Sequence, residues 1–351
     1  MKQIIRLLLM LLLMLALAVP VDAAQMEFSA PAVPDAGRSL FPEETETFSE
    51  GLRSVLRNAL ELLHPALMEA AGSCLRTVAI VLLLSVLNHF PGVTQRVLFL
   101  SGALLIGINL MQTSGAFIQL GQHTVNELSN YGKLLLPVMT AALAAQGGVS
   151  AAASLYTATA FFDAVLSNLI SKLLMPAIYI FICIAIADCA LGDNMLERLK
   201  KLIKNSISWF LKVLMYLFTG FIGITGVVSG SADAAAVKAA KITISAAVPV
   251  VGGILSDASE AVLVSAGVMK NAAGVYGILA TLAVCLGPFI QIGAQYLMLK
   301  LSASICELIG PKETTTLVND FSSAMGLVLA MTGAVGLMLL ISTVCFMKGV
   351  A

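Results

Sequence analysis

Hydrophobic and polar positions along this chain come in long blocks, not in the short alternation of strands. Apolar runs over 73–90, 97–120, 173–191, 209–228, 275–299 and 321–347 each approach the roughly 20 residues that a helix needs to cross about 30 Å of hydrocarbon. Two further apolar stretches, 134–170 and 242–271, are interrupted by glycine and proline. The first copy runs from Pro137 through Gln146-Gly147-Gly148 to Pro176, and the second from Pro249 through Gly252-Gly253 and Asp257 to Pro288, 112 residues further on. A stub of about 13 residues is only about 20 Å long. The arm before Gln146 therefore cannot cross unaided, and each broken pair reads as a re-entrant hairpin. The same offset relates the spans that start at 97, 209 and 321, and divides the chain into units 97–208 and 209–320. Each unit holds an even number of crossings, so the two would be parallel, not inverted. The pattern predicts an all-α polytopic helical membrane protein with about six spans and two re-entrant hairpins in a parallel two-fold repeat.

The polar segments order the rest. Residues 1–23 read as a signal peptide: Lys2 and Arg6 precede an apolar core, Pro20 breaks it, and small residues lead to a cut after Ala23. An uncleaved anchor is the competing reading. Residues 24–48 are acidic and proline-rich and read as an exposed linker. Thr47 stands three residues before Glu50, the spacing of a capping box. Leu52, Val55, Leu56, Ala59, Leu60 and Leu63 then make one apolar helical face, opposite Arg53, Arg57 and Glu61. Such a helix suits the membrane surface, a partner, or the rest of the chain. The organisation is thus a signal peptide (1–23), an extracytoplasmic linker and amphipathic helix (24–72), and a polytopic membrane domain (73–347).

Composition requires lipid as the solvent. The chain is 59% hydrophobic and 11% charged, against about 25% charged in soluble domains, and its mean hydropathy is +0.96. Its six cysteines form no C-x-x-C pair and read as small packing residues. The densest basic cluster, Arg198, Lys200, Lys201, Lys204 and Lys212, places that end of the bundle in the cytoplasm by the positive-inside rule. A cleaved signal and two intervening hairpin arms on the outer side give the same answer.

Ionisable groups within apolar segments are candidates for function because hydrocarbon penalises them. The second broken pair supplies Ser256, Asp257, Glu260, Lys270 and Asn271 beside Gly252 and Gly253, and the first supplies Gln146, Gly147 and Gly148. These ten residues are the candidate lining of a passage, with the two tips meeting near the midplane. The glycines allow close backbone approach, and broken helix ends expose N–H and C=O groups to an ion or water. Ser256 or Asp257 also suits a plain helix cap. Asp163 and Asp188 face either a passage or an interface. Gln291 and Gln295, one turn apart, suit hydrogen bonding between helices. No phosphate-binding loop, H-E-x-x-H or G-x-S-x-G motif occurs, so the reading is not an enzyme, with no catalytic residue, metal or other cofactor expected. Nothing points to nucleic acid.

The run Gly226-Val-Val-Ser-Gly-Ser-Ala-Asp233, then Val248-Pro-Val-Val-Gly-Gly-Ile-Leu-Ser-Asp-Ala-Ser-Glu260 and Gly267-Val-Met-Lys-Asn-Ala-Ala-Gly274, resembles the stage III sporulation protein AE family. The resemblance continues through Cys285-Leu-Gly-Pro288 and Tyr296-Leu-Met-Leu-Lys300. It implies a multi-pass protein of the mother-cell membrane around the forespore. The implied partners are the other products of its operon, including a cytoplasmic ATPase and periplasmic ring-forming proteins, and a forespore membrane partner. Together these would form a secretion-like channel or feeding complex for the developing spore, with this chain as its pore or permease-like part. A membrane scaffold and a stand-alone secondary transporter of a small solute or ion are the alternatives. Self-association is compatible with each.

Overall fold

The computed structural model describes residues 31–42, 47–90, 94–192, 195–247 and 252–348; for 223, 225–247, 252–266 and 269 it describes the backbone alone. The expected signal peptide lies outside the described residues. All regular structure among the described residues is helical. Six helical stretches are long and apolar enough to cross a membrane: Phe48–Leu87, Gln95–Ala145, Val149–Leu191, Glu197–Ile222, Lys270–Ile309 and Lys312–Lys348. Each contains or overlaps one of the six expected spans.

The helices are longer than the apolar runs suggested. After a short turn of helix, α1 (Asp35–Arg38), comes α2 (Phe48–Leu87) of 40 residues. Thr47 caps it by accepting a hydrogen bond from the Glu50 N–H at 3.4 Å. The expected amphipathic helix and first span are thus one helix that continues through Pro65. Helix formers Ala66, Leu67, Met68, Glu69, Ala70 and Ala71 carry the chain past the proline. Part of the expected exposed linker is also docked. Val33 and Leu40 are buried, and the Phe41 ring meets Tyr276 edge-on at 4.9 Å. Apolar side chains in an otherwise polar segment found a surface to cover.

α3 (Gln95–Ala145) joins the expected second span to the first hairpin arm in one helix of 51 residues. The polar stretch 121–133 does not break it, because Thr124, Val125, Leu128, Ser129, Tyr131 and Gly132 are buried at helical spacing. Pro137 lies inside it. At 1.5 Å per residue α3 is about 77 Å long, over twice the hydrocarbon core, so the short independent arm of the sequence reading does not exist. α4 (Val149–Leu169), a π-helical segment (Ile170–Leu174) and α5 (Met175–Leu191) follow as a second continuous run. Pro176, at the start of α5, has no N–H to give to the preceding turn, and the widened π turn sits directly before it.

α6 (Glu197–Ala247) also has 51 residues, and α7 (Gly252–Ile309), with Pro288 inside it, has 58. α8 (Lys312–Lys348) ends the bundle. Pro137 lies inside α3, and Pro249, its counterpart in the expected repeat, lies outside the described residues.

Close contacts fix the helix directions. Leu135, Met139 and Gln146 of α3 meet Gly277, Gly274 and Gly267 of α7 in reverse order, so these helices are antiparallel. Gly102, Gly121 and Gly132 of α3 meet Thr314, Val328 and Leu339 of α8 in the same order, so these are parallel. Small residues let the backbones approach, which is how helices associate where lipid is as apolar as leucine.

Candidate functional site

The first break is a turn with a defined cause. Gly147 has φ 91°, a left-handed conformation that a β-carbon would strain. The Gly148 N–H donates to the Leu143 carbonyl at 3.2 Å and the Gly147 N–H to the Ala144 carbonyl at 2.9 Å. That pair of bonds is the Schellman termination of a helix. Gly148 then caps α4, its carbonyl accepting from the Ala152 N–H at 2.8 Å. The chain therefore reverses in three residues, as the glycine pair predicted.

The tip touches the second half of the chain. The Gln146 amide lies over Gly267 of α7, where a β-carbon would stand 2.5 Å from Nε2. Gln146 Oε1 is buried with no hydrogen-bond partner among the described residues. One turn along α7, Lys270 is 4% exposed, while Asn271 is exposed. The structure thus brings Gln146 to the turn of α7 that carries Lys270.

Gly252 and Gly253 open α7, and Ser256, Asp257 and Glu260 fall in its first turns. The side chains of these five lie outside the described residues, so the expected lining is placed by register alone. Gly253, Glu260, Gly267 and Gly274 recur every seven residues along α7, two turns apart on one face. That recurrence was available in the sequence and links Glu260 to the face that meets Gln146.

A second polar centre was not anticipated. Lys200 Nζ lies 2.8 Å from Asp188 Oδ2 and 2.6 Å from Asp320 Oδ2. Asp188 Oδ1 accepts the Leu196 N–H at 2.9 Å. Lys200 and Asp188 are almost wholly buried. The triad ties the end of α5 to the start of α6 and to α8. Around it, Lys204 donates to Ser323 Oγ at 3.0 Å and Lys300 to Asn319 Oδ1 at 2.7 Å. Asp188 and Lys200 flank one short loop, which was the available signal. Asp320 is 120 residues from Lys200, and only the fold pairs them.

The remaining intramembrane polar groups divide. Asp163 accepts a hydrogen bond from Ser129 Oγ at 2.8 Å, joining α3 to α4. Gln295 was expected to bond between helices. It is fully buried, and neither of its amide atoms has a partner among the described residues.

The charged triad and the tip contact belong to opposite ends of the bundle. Val149–Leu191 runs from one to the other over 43 residues, about 65 Å at 1.5 Å per residue.

Comparison with known proteins places the chain in a family. The stage III sporulation protein AE of Bacillus subtilis (strain 168) is 24% identical over 225 residues, which make up 64% of this chain and 56% of the relative. The match therefore spans little more than half of that protein. No solved structure matches. Residues 43–349 match the family described as Stage III sporulation protein AE, nearly the whole described length, and the chain belongs to that family.

Proposed function

We propose that this chain is the pore or permease-like membrane subunit of the mother cell–forespore channel complex. In this reading it sits in the mother-cell membrane around the forespore. A cytoplasmic ATPase of the same operon supplies energy, and periplasmic ring proteins and a forespore membrane partner extend the conduit. The observation that carries the reading is the contact of the Gln146 tip with α7 at Gly267, one turn from the buried Lys270. The turn and the buried lysine bring polar groups of both halves together at one end of the bundle. Two long helices, α3 and α4, that meet at a turn packed against the other half suit a passage between halves.

In this mechanism the Gln146-Gly147-Gly148 turn and the first turns of α7 form the polar wall. Lys270 and Glu260 offer opposite charges along one helix, and Ser256, Asp257 and Asn271 add hydrogen-bonding groups. The test is spore yield in a sporulating host carrying Gln146→Leu, Lys270→Met, Asp257→Asn or Glu260→Gln. The expected result is a spore yield lowered at least tenfold with unchanged protein level and membrane location. Normal yield from all four variants would leave the chain as a scaffold, and uptake by the purified chain alone in liposomes would make it a stand-alone transporter.

A further inference from the structure

An open groove of about 620 Å³ runs along the outside of the bundle between α6, α7 and α8. Its floor is the small-residue face of α8, Gly326, Ala330, Gly333 and Ala334, and its walls include Tyr216 and Phe289. These residues all lie within membrane-spanning stretches. Lys212 lines the same groove. It is exposed, and no ion pair or hydrogen bond engages it among the described residues.

The groove has a direction. Lys200 and Lys204 of α6 meet Asp320 and Ser323 of α8 in the same order, so the two helices run parallel from the basic end. Helical side chains lean toward the amino end of their own helix. Lys212 therefore leans back toward Trp209, which is 59% exposed one turn away, and toward the basic turn beyond it. An exposed tryptophan beside an outreaching lysine marks the level of lipid headgroups. Below that level the wall is apolar: Phe289 and Tyr296 of α7 pack against Gly333 and Gly326 of α8, and Ala330 is left exposed beside them.

We propose that this groove is a binding site for an anionic phospholipid. One acyl chain lies along the small-residue face of α8, and the phosphate meets Lys212. Charge complementarity selects this occupant: a basic residue opening between spans at the cytoplasmic end is the pattern that recruits acidic headgroups. A second copy of the chain would have to bring an acidic group to Lys212, and it is an outcome that the test distinguishes.

The chain's single tryptophan, Trp209, makes the test direct. The full chain is reconstituted in phosphatidylcholine vesicles containing either brominated phosphatidylglycerol or brominated phosphatidylcholine, and quenching of Trp209 fluorescence is measured. Quenching by the anionic lipid is expected at about fivefold lower mole fraction. Lys212→Gln should abolish that preference and Lys212→Arg should keep it. Ala330→Phe, at an exposed position on the floor, should weaken quenching by the anionic lipid. Equal quenching by both lipids in the unmodified chain overturns the proposal. So does a preference that survives both Lys212→Gln and Ala330→Phe, which would assign it to the general field of the neighbouring lysines. Protection of Trp209 from both lipids, with a dimer captured by cross-linking, would assign the groove to a second copy. The readout needs no sporulation, so it stands or falls independently of the channel reading.

Discussion

Lys200 and Asp320 stand 120 residues apart in the chain and 2.6 Å apart in the fold. With Asp188 they hold three helix ends together at the basic end of the bundle. Two acids share one cation in a buried place, so the arrangement depends on every member being present.

Lys200→Met should therefore lower the thermal unfolding midpoint in detergent sharply, since stranding a buried charge costs about 3–5 kcal/mol. Combining it with Asp188→Asn and Asp320→Asn should recover part of the loss, because no uncompensated charge remains. A triple variant less stable than Lys200→Met alone would mean that hydrogen bonding, not charge pairing, holds the centre.

The tip contact is tested by cross-linking. In a background with the native cysteines replaced, Gln146→Cys with Gly267→Cys should form an intramolecular disulfide on mild oxidation. Lys133→Cys, exposed elsewhere on α3 and bonded to Asn130 at 3.2 Å, should not cross-link to the same partner. Equal yields from both pairs would detach the tip from α7.

Backbone conformation separates two glycines. Gly147→Ala should destabilise by about 1–2 kcal/mol, the cost of a β-carbon in the left-handed region. Gly72→Ala should stabilise by about 0.5–1 kcal/mol, because Gly72 is inside α2 with open space around it. Thermal melts of the two variants should shift in opposite directions.

The start of α4 and the end of α5 should lie on opposite sides of the membrane. A cysteine placed at Lys201 should react with a membrane-impermeant thiol reagent only from the cytoplasmic side, and one placed at Gly148 or Val149 only from the other. Labelling of both positions from one side would reverse the passage of Val149–Leu191 through the bilayer.

Much of this architecture was legible because lipid leaves the backbone few choices. Six apolar runs gave six spanning helices, and the Gly147-Gly148 turn was readable because few other residues tolerate its left-handed φ. Helix length was less legible. The polar residues of 121–133 look like a loop until their buried stripe, Thr124, Leu128 and Tyr131, is seen to pack inside the bundle. Pro137 looks like a break, yet α3 continues through it, with Leu135, Leu136 and Met139 buried around it. The triad was hidden because Asp320 looks like any acid at a span edge. The heptad of Gly253, Glu260, Gly267 and Gly274 was visible but had no meaning until Gln146 was found against one of its members.

The reach of α3 has a mechanical corollary. A helix of about 77 Å uses about 40 Å in crossing the hydrocarbon core even when steeply tilted. More than 30 Å of it then lies outside the hydrocarbon core. Any surface that docked on the exposed part of the helix would be held away from the hydrocarbon by up to that length.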